Sequence, residues 1–151
     1  MTVRNIDTAF GLPGVHWIEL YRGRAGSGIR YVRPRHKQSD SFMADGYAGD
    51  SRRTGVAFVI TGPGLTKTLT AMAHARADSV PMLVVSGVNR LDTIAKGLGY
   101  LQIPDQQALA GQVALHSQRV TRALFVRPTL DRALRFCQLL RIGLGIETNF
   151  H

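Results

Sequence analysis

Two short apolar runs, GVAFVIT at 55–61 and PMLVVSG at 81–87, constrain the fold of this chain more than any other feature. Neither alternates apolar with polar residues, so neither suits a strand with one face in water; both call for cover on two sides. Between them, Leu65 to Asp78 is rich in Ala, Leu and Met and sets Leu69, Met72, Ala73 and Arg76 at helical spacing. Strand, helix, strand in that order is the unit of a parallel sheet, with a right-handed crossover expected. Weaker strands are expected at Thr8 to Phe10 and Ile29 to Arg33, and weaker helices at Val15 to Tyr21 and Ser39 to Ala48. The expected fold class is therefore α/β, a three-layer α/β/α domain with a mostly parallel central sheet. A chain of 151 residues suffices for one such domain.

Each strand runs into a loop with unusual chemistry: GLPG at 11–14, PRHKQ at 34–38, GPG at 62–64 and SGVNR at 86–90. In a parallel sheet all four lie on the carboxyl edge, where ligands are held. Glycines there let a ligand approach the backbone, and helix N-termini present N–H groups to it. Turn propensity alone would also place Gly and Pro in such loops, but four together point to a site.

Charge widens the choice of ligand. The net charge is +9, from 19 Lys+Arg against 10 Asp+Glu, with basic residues gathered at Arg22 to Lys37 and Arg119 to Arg141. Nucleic acid, an anionic surface and a phosphorylated ligand all match that sign. A nucleic-acid module is disfavoured, since the chain has no zinc-finger spacing, no RNP-like aromatic strand and no basic reading helix. The single cysteine, Cys137, excludes an internal disulfide and is consistent with a reducing compartment, so a cytoplasmic location is expected. No run reaches the roughly 20 apolar residues of a membrane helix, and no membrane partner is expected.

Two phosphate-loop patterns fail on spacing. TGPGLTKT has Thr66 before Lys67 where a P-loop needs glycine, and GRAGSG at 23–28 has its glycines out of order for a dinucleotide fingerprint. The five histidines show no metal-ligand spacing, so no metal site is assigned.

FGLPGVHWIELY, IRYVRPRHKQSDSFMADGYA, GVAFVITGPGLTKTLTAMAHARADSVPMLVVSGVNR and LQIPDQQAL together resemble the N-terminal, pyrimidine-binding domain of thiamine-diphosphate enzymes, with acetolactate synthases and related 2-oxo-acid decarboxylases nearest. The resemblance runs from about Asp7 to Leu109 and implies a flavodoxin-like domain over residues 1–115. Residues 116–151 are expected to be a divergent, partly disordered tail, with protease cleavage concentrated after about residue 116. A helical apolar stripe at Leu130, Ala133, Leu134, Cys137 and Leu140 runs through that tail. The domain reads as trimmed at both ends.

The resemblance also implies a cofactor, thiamine diphosphate, whose ring lies against Pro13, Gly14, His36, Gln38, Gly62, Pro63, Gly64 and Thr66. Its diphosphate and Mg2+ would be supplied through a partner domain, in a homo-oligomer or on another chain. The family's metal motif, Gly-Asp-Gly with a later Asn, survives here only as fragments at Asp45-Gly46 and Gly49-Asp50. Where relatives carry a glutamate that hydrogen-bonds the pyrimidine ring nitrogen, this chain has Lys37, and Lys67 stands where asparagine is common. An ammonium offers donors only and cannot share a proton as a carboxylate does. Two functions follow as expectations: half of a 2-oxo-acid carboligase or decarboxylase, inactive alone, or a remnant without chemistry. The 2-oxo acid itself is left open.

Overall fold

The computed structural model describes residues 6–14, 22–23, 26–88, 105–140 and 144–148. In chain order the elements are β1 (Thr8–Gly11), β2 (Arg30–Val32), α1 (Lys37–Ser51), β3 (Gly55–Val59), α2 (Pro63–Ala77) and β4 (Met82–Gly87). They continue as α3 (Gln106–Val113), β5 (Ser117–Val120), a short 3-10 turn (Ala123–Phe125), α4 (Val126–Leu140) and β6 (Leu144–Thr148). The strands form one sheet in the order β2-β1-β3-β4-β6-β5, and every pairing is parallel. The expected helix at Val15 to Tyr21 lies outside the described residues.

Both long apolar runs became central strands. Val56, Leu83 and Val85 point to one face, where they meet Ala133, Leu134 and Cys137 of α4. Ala57, Val59, Met82 and Val84 point to the other, against Ala44 of α1, Leu65, Ala71, Met72 and Ala75 of α2, and Ala110 of α3. Strand side chains alternate faces, so a run with no polar gap fills two cores at once. The result is three layers, α/β/α.

Two details differ from the sequence reading. The buried face of α2 is Gly64, Leu65, Thr68, Ala71, Met72 and Ala75, whereas Ala73 and Arg76 of the expected stripe are exposed. An alanine-rich helix has little contrast between its faces, so small residues settle which side approaches the sheet. Thr68 tolerates burial because its hydroxyl donates to Gly64 O at 2.9 Å. The segment set apart as a tail, 116–151, contributes β5 and β6 to the same sheet and α4 to its cover. Its apolar stripe is core: Ala133, Leu134 and Cys137 are buried. Burial of Cys137 pushes its thiol up to about 12, so the sulfur stays protonated. Limited proteolysis with mass mapping should therefore spare Ser117–Leu140 about as well as β3 and β4; preferential cutting inside α4 would contradict this packing.

Candidate functional site

All six parallel strands end at one edge, and the loops after β1, β3 and β4 are drawn together there by specific contacts. Gly14, after β1, and Gly64, in the first turn of α2, both lie against the side chain of Ile60. A Cβ would come within 2.6 Å of Ile60 Cδ1 at the first and within 2.7 Å of its Cγ2 at the second. The absence of a side chain at each lets both loops pack closely against Ile60. Between them Gly62 caps α2 at φ 65, a left-handed conformation that glycine adopts without strain.

The GPG turn is held by a residue that the sequence reading passed over. Gln106, 2% exposed, opens α3. Its Oε1 accepts from Thr61 Oγ1 at 2.7 Å and from the Gly62 amide at 2.6 Å. Its Nε2 donates to Gly87 O at 3.0 Å and to Ser86 Oγ at 3.3 Å. One buried amide thus ties the exits of β3 and β4 to the start of α3 with every contact satisfied. Only Asp105, which caps α3 by accepting from Ala108 N at 2.9 Å, signals in sequence that a helix begins here. Gln106→Ala should cost about 3 kcal/mol, because it strands buried donors of the turn. Urea unfolding would measure it, and a loss under about 1 kcal/mol would deny the role.

At the start of α1, His36 is the N-cap, its Nδ1 accepting from Gln38 N at 3.3 Å. His36 and Gln38 line an open hollow with Ser39, Phe42 and Met43. The inward face of the same helix carries Asp40, Ser41 and Ala44, all buried, and Lys37 is half-buried at its first turn. Asp40 is 1% exposed, and its Oδ1 has no hydrogen-bond partner. Burial pushes its carboxyl up from the ordinary 3.8 to about 7, against the opposing pull of the Leu12 backbone amide and the Lys37 charge. The carboxyl therefore lies at the GLPG loop.

The residues expected at the site are thus partly gathered. Gly14 and Gly64 meet at Ile60. The Thr66 amide is engaged with Gly62 O at 3.0 Å, and the Gly62 amide with Gln106, so neither is open to a ligand. Pro63 is half-buried as the first residue of α2, while Pro13, His36 and Lys67 are exposed. Asp45 is engaged elsewhere, its Oδ2 at 2.7 Å from His74 Nδ1. Gly46 and Gly49 are interior to α1, and residues 89–90 of the SGVNR loop lie outside the described residues. No helix among the described residues is long and apolar enough to cross a membrane.

Residues 1–109 match the family described as thiamine pyrophosphate enzyme, N-terminal TPP binding domain. The chain is 54% identical over 113 residues to a probable 2-ketoarginine decarboxylase of Pseudomonas aeruginosa, an alignment covering 74% of this chain and 20% of that protein. It is 35% identical over 130 residues to an acetolactate synthase large subunit of Mycobacterium tuberculosis, covering 86% and 23%. It is 40% identical over 106 residues to the mitochondrial acetolactate synthase catalytic subunit of Saccharomyces cerevisiae, covering 70% and 15%. The alignments span roughly a fifth of the length of these relatives.

Proposed function

Because this chain belongs to the family of thiamine pyrophosphate enzyme N-terminal domains, we propose that its carboxyl edge is the ring-holding half of a thiamine diphosphate site in an acetolactate synthase-like carboligase or a 2-oxo-acid decarboxylase. The gathering of the GLPG and GPG loops against Ile60, with His36 and Gln38 at the start of α1, carries this reading. Pro13, Pro63, His36 and Gln38 border that edge in sequence and complete the proposed ring contacts. When bound, thiamine diphosphate supplies the nucleophilic carbon that attacks a 2-oxo acid. This chain's part is to seat and orient the ring and keep water from it.

The fit fails at one position. A carboxylate at 37 could share a proton with the ring nitrogen, whereas Lys37 presents only donors. In this proposal the diphosphate and its Mg2+ fall to a second domain, in a homo-oligomer or on another chain, a reading supported by the greater length of the relatives. The chain by itself is therefore inactive in this proposal. The alternative, a ring-binding domain in which no chemistry is performed at all, is favoured by Lys37 alone.

Calorimetry with thiamine diphosphate and Mg2+ tests the reading. Binding should be weak, with Kd in the region of about 1 mM, since ring contacts act without a diphosphate clamp. Kd of about 1 μM or tighter, lost with thiamine lacking phosphates, would mean that Lys37 and Lys67 capture the diphosphate and would overturn the divided site. No perturbation of Gly14, Ile60 or Gly64 amides by millimolar thiamine would overturn the ring site itself.

A further inference from the structure

Helix α4 turns Ala133, Leu134 and Cys137 inward to the sheet. A second set on the same helix, Arg132, Arg135, Phe136 and Leu139, is exposed. Its spacing of i, i+3, i+4 and i+7 puts all four on one side. Leu139 is 80% exposed and Leu124, in the turn before the helix, 77%, so most of each side chain lies in water. Beside Leu124, the exposed Phe125 ring has the Arg122 guanidinium 6.0 Å from its centre, and Phe136 stacks on His116 at 5.7 Å. Both rings are thus oriented at the surface by a neighbour. Residues 116–140 carry five arginines and one acid, Asp131. Among the described residues, Arg127, Arg132 and Arg135 have no carboxylate in ion-pair reach.

We propose that this outward face docks an acidic amphipathic helix of a partner protein, whose carboxylates meet Arg132 and Arg135 and whose apolar stripe covers Phe136 and Leu139. The charge of the face selects the sign of the partner. A second copy of this chain is a poor occupant, because a two-fold contact through α4 would set its arginines against one another. Duplex nucleic acid is also a poor one, since Leu124 and Leu139 project furthest and phosphates offer them nothing. An anionic lipid surface matches the sign, but helices that lie on membranes sort apolar and basic residues onto separate faces. Here they are interleaved, with Arg132 one turn before Phe136 and Arg135 one turn before Leu139. A stripe of i, i+3, i+4 and i+7 has the width of one opposing helix, and its alternation fits a partner that sets each acid one turn from an apolar anchor.

The test is fluorescence anisotropy of a labelled helical peptide of about 20 residues, with leucines along one face and glutamates on the rest, titrated with the whole chain. Binding is expected with Kd of about 10 μM at low salt. Joint Arg132→Glu and Arg135→Glu should weaken it at least about tenfold, and Leu139→Ser about fivefold. The control pair Arg33→Glu and Arg52→Glu makes the same change in net charge at exposed positions, one after edge strand β2 and one at the end of α1 on the opposite face of the sheet. It should alter Kd by less than about twofold. Circular dichroism should show every variant folded, and amide shifts in the parent chain should map the peptide to residues 132–139 whatever the variants do. Equal binding of a peptide with the same composition but dispersed leucines would overturn the proposal, as would equal weakening by the control pair. Phosphatidylglycerol vesicles or duplex DNA binding more tightly than the peptide, in a manner lost with Leu139→Ser, would reassign the face and overturn it too.

Discussion

Asp40→Asn will be more stable than the parent chain at pH 8, by at most about 4 kcal/mol, with the difference vanishing below about pH 4. The carboxyl holds its proton more tightly in the folded chain, at about 7, than at the ordinary 3.8. A group raised in this way contributes fully below its unfolded value, and its contribution is lost as pH rises through the folded one. The parent should therefore weaken between about pH 4 and 7, while the amide, neutral throughout, does not. One pK unit corresponds to about 1.4 kcal/mol, which sets the ceiling. Urea denaturation at pH 4, 6 and 8 measures it. Parallel curves for the two chains would show that Asp40 is not a buried, uncompensated carboxyl.

Lys37→Glu carries the larger kinetic effect. In a chimera where this domain replaces the matching one of an active acetolactate synthase, the parent sequence should fold and turn over poorly. The glutamate form should be faster by about 100- to 10,000-fold, the usual contribution of a placed general acid or base. The physical reason is the shared proton: a carboxylate at 37 can hold it against the ring nitrogen, and an ammonium repels it. In the chain alone the same substitution should yield no turnover, for want of a clamp on the diphosphate. Consumption of 2-oxo acid, after circular dichroism has shown both chimeras folded, decides between outcomes. Equal rates would clear Lys37 of blame, and equal inactivity would place a further defect elsewhere, with Lys67 the first candidate.

Of the first four strands, β3 and β4 were the most legible, because a strand buried on both faces needs an unbroken apolar run and each has one. The last two were not. SQRV is polar at three of its four positions and LGIET carries a glycine, so neither resembles a core strand until the pairing of β6 with β4 and β5 is known. At the site, the glycine loops announced themselves and the two buried polar groups did not. Gln106 looks like an ordinary first-turn residue until it meets Thr61, 45 positions away. Asp40 looks like a helix-start acid until the GLPG loop closes over it. Burial of a polar group depends on distant chain, which local periodicity does not encode.

The place of β6 governs the order in which this sheet can be completed. It is the last of the described strands in sequence yet lies inside, between β4 and β5, and β5 has its described ladder only with β6. On a growing chain, β5 therefore emerges with no neighbour and β4 keeps one open edge until Leu144–Thr148 has been synthesised. Closure waits on contacts far apart in sequence, which slows folding and leaves an unpaired strand edge available to other chains. The inner strand follows its outer neighbour, and translation speed from β4 to β6 sets how long the β4 edge stays bare.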